Sequence, residues 1–151
     1  MSRPCADASR RRFLQQAGTL AAGAAALSAA SSCSLIYDSE LRLGPLAQLR
    51  QAGHWVKEFN WDLIFTSLDA QGQPFTLSMV CSHKQCTVRW QPGDKEFQCP
   101  CHQGRYTPNG EVLSGKPPEP LRAFRTELRP DPQTAEPIVW VLNEEAPQPA
   151  V

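Results

Sequence analysis

Phe75-Thr76-Leu77-Ser78-Met79-Val80 runs without a break into Cys81-Ser82-His83-Lys84-Gln85-Cys86. In the first half Phe75, Leu77 and Met79 alternate with Thr76, Ser78 and Val80, the period of two that a half-buried strand requires. In the second half two cysteines and a histidine crowd into six positions, so a strand delivers a chemically loaded loop. The same alternation of short apolar runs and turn residues continues on both sides. Trp61 to Leu68 reads as a strand ended by Asp69-Ala70-Gln71-Gly72. Thr87–Trp90 and Glu96–Gln98 flank a hairpin turn at Gln91-Pro92-Gly93-Asp94. Pro108-Asn109-Gly110 turns the chain before Glu111-Val112-Leu113, and Pro130-Asp131-Pro132 separates the strands Leu121–Leu128 and Ile138–Leu142. Asp38 to Leu49 reads as a linker or first edge strand, because Gly44-Pro45 breaks any helix there. No internal repeat and no long helix follows the leader. The body is all-β.

A chain of 151 residues supports one domain with a modest core. Its 15 Lys and Arg balance 15 Asp and Glu, which argues against a nucleic-acid binder with a basic surplus. The balance conceals an asymmetry. Residues 1–32 hold Arg3, Arg10, Arg11 and Arg12 against Asp7 alone. The rest carries 11 positive and 14 negative side chains, a net of −3, so the body is mildly acidic.

The leader has the layout of an export signal. Ser9-Arg10-Arg11-Arg12-Phe13-Leu14 opens an uncharged stretch that lasts to Tyr37 and ends in small residues. The paired arginines followed by Phe-Leu resemble a twin-arginine signal, which exports proteins already folded. The uncharged stretch is long enough to span a bilayer, which needs roughly 20 residues. Eight Ala, two Gly and Gln15-Gln16 between Phe13 and Ala30 make it a weak anchor. Ala24-Ala25-Ala26 and Ser28-Ala29-Ala30 offer cleavage sites, and Ala30-Ser31-Ser32-Cys33 resembles a lipoprotein box that would lipidate Cys33. Each fate puts the body on the periplasmic side of a bacterial inner membrane.

The chemistry concentrates in two clusters. The second, Cys99-Pro100-Cys101-His102-Gln103-Gly104-Arg105-Tyr106, repeats the cysteine–histidine association of the first. Cys81-x-His83, then fifteen residues, then Cys99-x-x-His102 offers four metal ligands in two pairs from two loops. Such a set suits tetrahedral zinc, although one residue between Cys81 and His83 is tight and Cys86 and Cys101 are left over. A disulfide framework is natural in a small exported domain but leaves the histidines unexplained.

At these residues the sequence resembles the Rieske iron–sulfur proteins of the high-potential, disulfide-containing type. Their boxes have the form Cys-x-His-x-x-Cys and Cys-x-Cys-His, the latter usually continuing Gly-Ser-x-Tyr or Phe. The resemblance is strong from about Phe75 to Pro120. It implies one 2Fe-2S cluster per chain, with Cys81 and Cys99 on the inner iron and His83 and His102 on the outer one. It also implies a disulfide between Cys86 and Cys101, closing a loop of about 15 residues worth on the order of 3 kcal/mol. The implied fold is an antiparallel β sandwich with a small cluster-binding subdomain at about residues 79–118, preceded by a signal helix. Rieske ferredoxins and oxygenase domains typically lack the two disulfide cysteines.

Further expectations follow from matching positions. Tyr106 falls where the family has a tyrosine bonded to a ligand sulfur, a device that raises the potential. The family's serine falls at Gly104, which removes one such bond. Lys84-Gln85 replaces the usual Leu-Gly at the tip that docks into a quinol pocket, and a lysine matches an apolar pocket poorly. Gly115-Lys116-Pro117-Pro118 resembles the proline-rich loop that covers the cluster.

The organisation expected is a signal or anchor at 1–32, a linker at 33–50, the cluster domain at 51–143 and a flexible tail at 144–151. His54 reads as a surface or core-edge histidine, Cys5 as inert and Glu144-Glu145 as a solvated tail. Trp55, Trp61, Trp90 and Trp140 read as core or sheet-face residues. The function implied is one-electron transfer with no acid–base or nucleophilic residue of its own. The expected setting is a subunit of a quinol-oxidising, cytochrome bc-type complex with cytochrome b- or c-type partners. The alternatives are the small Rieske subunit of a molybdenum oxidoreductase such as arsenite oxidase, or a zinc- or disulfide-stabilised structural module.

Overall fold

The computed structural model describes residues 37–150. The leader, with Cys5, Cys33 and the expected signal helix, lies outside the described residues. Ten strands and one short helix follow in the order β1 (Glu40–Pro45), α1 (Leu46–Ala52), β2 (His54–Phe59), β3 (Asp62–Leu68), β4 (Pro74–Ser78), β5 (Arg89–Gln91), β6 (Glu96–Gln98), β7 (Arg105–Tyr106), β8 (Val112–Ser114), β9 (Ala123–Pro130) and β10 (Pro137–Ala146). They form a six-stranded sheet, β1-β10-β9-β4-β3-β2, and a four-stranded sheet, β5-β6-β7-β8, with antiparallel pairing throughout. The all-β expectation holds. Among the described residues no helix is long and apolar enough to cross a membrane.

Side-chain alternation decides what each face meets. In β3, Phe65 points into a core shared with the small sheet, through Leu77, Met79, Val88, Phe97 and Tyr106. Its neighbour Ile64 points the other way, to Phe59, Phe124 and Val141. In the small sheet Trp90, Phe97 and Tyr106 share the inner face, so Phe65 packs at 4.9–5.0 Å, centroid to centroid, from both Trp90 and Phe97. Leu46 and Leu49 of α1 cover Val139 of β10. Cys81 and Cys99 belong to the core between the sheets, each only 2% exposed. The two loops therefore start from rigid, buried footings.

Of the two readings of the segment before residue 50, the edge strand holds and the linker does not: the segment supplies β1, at the sheet edge and hydrogen-bonded along β10, and most of α1. Gly44-Pro45 does prevent a helix, but only up to Pro45, whose fixed φ suits the position before a first helical turn. The tail at 144 begins inside β10, where Glu145 and Ala146 still pair with Phe124 and Ala123. Trp61 corrects an expectation. It is 81% exposed, not a core or sheet-face residue, because β2 and β3 join through Asn60 and Trp61, both at positive φ (50° and 75°), at the tip of a two-residue turn. His54 is half-buried and stacks on Phe65 at 5.1 Å, a core-edge position.

Candidate metal centre

Two loops leave the core side by side, and they follow one backbone pattern. The Cys81 carbonyl accepts the Gln85 N–H at 2.9 Å, and the Cys81 N–H donates to the Cys86 carbonyl at 2.9 Å. Five-residue steps repeat this in the second loop, with Gln103 N–H to the Cys99 carbonyl at 3.1 Å and Cys99 N–H to the Gly104 carbonyl at 2.7 Å. Gln85 and Gln103 both sit at φ 56°, the left-handed conformation each loop needs to turn back. Cys86 is disulfide-bonded to Cys101, fifteen residues on, and clasps the two loops.

The predicted ligands come together as two pairs. Cys81 and Cys99 are free, buried thiols in the same core cluster. The His83 and His102 rings face each other edge-to-face, their centroids 4.7 Å apart. His83 is partly exposed and His102 exposed, so imidazoles lie outermost and sulfurs inside. The sulfurs of Cys86, Cys99 and Cys101 lie within 4.8 Å of one another. A disulfide has no thiolate to offer, so among these three Cys99 alone can bind metal.

Hydrogen bonds tune this set. The Tyr106 hydroxyl, fully buried, donates to Cys81 Sγ at 3.2 Å and accepts the Ser82 N–H at 3.3 Å. Burial, then the bond to Cys81, pushes the Tyr106 phenol up to about 12, so it remains a donor. Burial alone would raise the Cys81 thiol. The Tyr106 hydroxyl, the backbone at His83 and Lys84 and the Cys99 thiol outweigh it and hold Cys81 below its ordinary value. Partial burial, then the facing His102, then Lys84 and Lys116 keep the His83 imidazole below its ordinary value and hence neutral. Neutral imidazoles and thiolate-prone sulfurs are the forms that bind metal.

The cover loop joins both sides. Ser82 Oγ donates to the Glu119 carbonyl at 2.7 Å and accepts the Glu119 N–H at 3.3 Å. Pro117, buried, sits on Gly104 so closely that a Cβ there would lie 2.6 Å from Pro117 Cγ. A Cβ on Gly115 would approach Gly104 Cα to 2.8 Å. The site of the absent serine is therefore filled by a proline ring.

A family model, the Rieske 2Fe-2S domain, matches residues 34–125 of this chain. The chain belongs to the Rieske family. It is 30% identical over 92 residues, 61% of this chain and 50% of that protein, to the cytochrome b6-f complex iron-sulfur subunit of Chlorobaculum thiosulfatiphilum. It is 40% identical to the cytochrome b6-f complex iron-sulfur subunit 1 of a Synechocystis strain, covering 40% of each chain. The chain thus spans half or less of the length of these curated relatives. Its fold matches a cyanobacterial plasma membrane Rieske protein from Synechocystis with a TM-score of 0.54 at 23% identity, covering 66% of this chain and 97% of that one. The family's cofactor is a 2Fe-2S cluster, and the donor set of this Rieske domain, two inner thiols and two outer imidazoles, fits it.

The sequence reading missed an ionic cluster beside the second loop. Glu96, only 3% exposed, accepts Arg105 Nε at 2.8 and 3.0 Å, Arg105 Nη2, and Gln98 Nε2 at 2.6 Å. The Arg105 bonds, then Gln98, hold the Glu96 carboxyl below its ordinary range. The signal was available: period-two alternation puts Arg89, Gln91, Glu96, Gln98 and Arg105 on the face opposite Trp90, Phe97 and Tyr106.

Proposed function

We propose that this Rieske protein is the one-electron carrier of a quinol-oxidising, cytochrome bc-type complex. Cys81 and Cys99 would hold the inner iron, and His83 and His102 the outer one. The observation that carries this reading is the ordering of the donors, buried sulfurs within and two facing imidazoles at the exposed tip. When bound, a 2Fe-2S cluster supplies reversible one-electron transfer. The chain's own groups set the terms. Two imidazoles in place of thiolates would lower the negative charge at the site, the Tyr106 hydroxyl draws density from Cys81 Sγ, and both favour the electron's arrival. With one nitrogen of each ring holding iron, the other nitrogen of His83 and of His102 would carry an exchangeable proton, which suits a donor that gives up a proton with its electron. Closing the loops with Cys86–Cys101 and Pro117 keeps bulk water from the sulfurs.

The setting belongs to the same proposal. The Arg10-Arg11-Arg12-Phe13-Leu14 leader supports export of the folded protein by the twin-arginine route to the periplasmic side of the inner membrane. Whether by Cys33 lipid, by the retained leader or by its partners, the domain works at the membrane. Lys84-Gln85 at the tip, a poor match for an apolar quinol pocket, favours a second reading, the small subunit of a molybdenum oxidoreductase.

Two measurements on one preparation test this. Dithionite-reduced protein should give a low-temperature rhombic paramagnetic resonance signal averaging below the free-electron value, and His102→Cys should lower the potential or lose the signal. Absence of the signal with zinc present would sink the cluster reading. The tagged full chain should co-purify from native membranes with haem-bearing subunits, and molybdenum in their place would favour the second reading.

A further inference from the structure

Beside the second loop a solvent-open cleft of about 380 Å³ is bounded by Arg89, Gln98, Cys99, Pro100, Gln103 and Arg105. Its two arginines differ in what they meet. Arg105 is locked by the buried carboxylate of Glu96, which also takes Gln98, so Glu96 has no free oxygen to meet a second cation. Arg89 is exposed and, among the described residues, has no ion-pair partner, a state it shares with Arg50 and Arg122, but it alone of these three lines the cleft. Ladder pairing sets Arg89 opposite Gln98 and Gln98 opposite Arg105, so a fixed cation, an amide and an unpaired cation stand in one row across the outer face of the small sheet.

Around the cleft Glu96 and Asp94 face Arg105, but the wider cluster-binding part is net positive. Residues 81–118 hold five Lys and Arg (Lys84, Arg89, Lys95, Arg105, Lys116) against three carboxylates (Asp94, Glu96, Glu111), while the rest of the body from residue 33 holds six against eleven. The cluster-binding part is thus net +2 and the remainder net −5. Lys84 follows His83 directly, and Lys116 stands between Gly115 and Pro117, the two residues packed on Gly104. Glu119, beyond Pro118, is the nearest acidic residue of the cover loop. A dipole of this kind orients an approaching anionic partner before contact.

We propose that this cleft is a carboxylate-recognition notch, in which Arg89, across the ladder from Gln98 and the Glu96-bound Arg105, receives an acidic side chain from the protein that exchanges electrons with this domain. Lys84 and Lys116 guide the same acidic surface over the histidine tip. A guanidinium is suited to this because its planar fork matches a carboxylate. The notch abuts the Cys99-Pro100 segment, so a partner seated there lies within a few residues of two proposed ligands, Cys99 and His102. The proposal rests on the electron-transfer reading above and adds the chemistry of the partner's surface.

The test uses the full-length protein whose paramagnetic resonance signal has first been recorded, so that absence of a cluster is seen separately from absence of docking. Binding of a hexaglutamate peptide is measured by calorimetry at a series of salt concentrations. The native protein should bind, with affinity falling as salt rises. Arg89→Gln should weaken binding about tenfold, the equivalent of one charge-assisted hydrogen bond, and flatten the salt dependence. Lys57→Gln, in β2 of the six-stranded sheet, should change neither. No binding of the peptide, or equal weakening by Lys57→Gln, overturns the proposal. Acetate should compete only at high concentration, because it meets the notch without the lysines. Acetate binding as tight as the peptide's would make this a small-molecule site and overturn the docking role.

Discussion

The loops Cys81–Cys86 and Cys99–Gly104 share a backbone path yet are supported by different physics. In both, the first cysteine's carbonyl takes the N–H of a left-handed glutamine and its N–H reaches the carbonyl five residues on. Counting from that cysteine, the histidine comes second in one loop and third in the other. The disulfide cysteine comes fifth in one and second in the other. The frame therefore does not dictate where the chemistry falls. It supplies a rigid rim, and the offset in ligand position turns the two rings toward each other. The first loop is held by hydrogen bonds from Tyr106 and to Glu119. The second is held by packing, with Pro117 pressed on Gly104. Substitutions that strike hydrogen bonding, packing or the clasp should separate these contributions.

The clasp is common to both loops, so its loss should cost most. Replacing both Cys86 and Cys101 by Ser removes a cross-link across fifteen residues and should lower unfolding free energy by about 3 kcal/mol, read from denaturant midpoints. Both loops should loosen together, and the cluster signal should be lost faster under chelator. An unchanged midpoint would mean that the parallel backbone bonds alone fix the loops.

Packing at the second loop comes next. A methyl at Gly104 would enter the Pro117 ring, so Gly104→Ala should destabilise by roughly 1–3 kcal/mol. The double variant Gly104→Ala/Pro117→Ala should cost less than the two singles together, since the contact is removed only once. Additive losses would show that Pro117 does not bear on Gly104. This clash also changes what Gly104→Ser would test. A serine there must first displace the proline, so any gain in potential from its hydroxyl comes with a looser cover loop.

How much of this was legible from the residues divides along the same line. The strands around Phe65, Leu77 and Phe97 follow from period-two alternation, because a sheet face buried against another sheet admits only apolar side chains. The four candidate metal donors stood out because cysteine and histidine are scarce and fall in two clusters, and the Cys86–Cys101 disulfide was implied by the likeness of those clusters to the Rieske boxes. What escaped depends on tertiary packing or on φ. Nothing local announces that Trp61 sits at a turn, since tryptophan has no preference for positive φ. The contact of Pro117 with Gly104 joins residues far apart in sequence. Alternation places Glu96 and Arg105 on one outer face, but that Glu96 is buried there depends on tertiary packing.

The smallest effect offers the sharpest check on the likeness of the loops. Gln85 and Gln103 occupy the left-handed region at the same φ, where a Cβ crowds its own backbone, at an intrinsic cost of about 1 kcal/mol or slightly more. Glycine removes that crowding but adds freedom to the unfolded chain, which returns part of the gain. Gln85→Gly and Gln103→Gly should each therefore stabilise by only about 0.5 kcal/mol. Both side chains are exposed. Unequal outcomes are informative because the backbone terms cancel between the loops. Gln103 borders the cleft that holds Arg89, whereas Gln85 does not. A gain at 85 with none at 103, measured by denaturant unfolding of the oxidised protein, would show that the Gln103 side chain contributes contacts its twin lacks. Equal gains would reduce both glutamines to backbone strain alone.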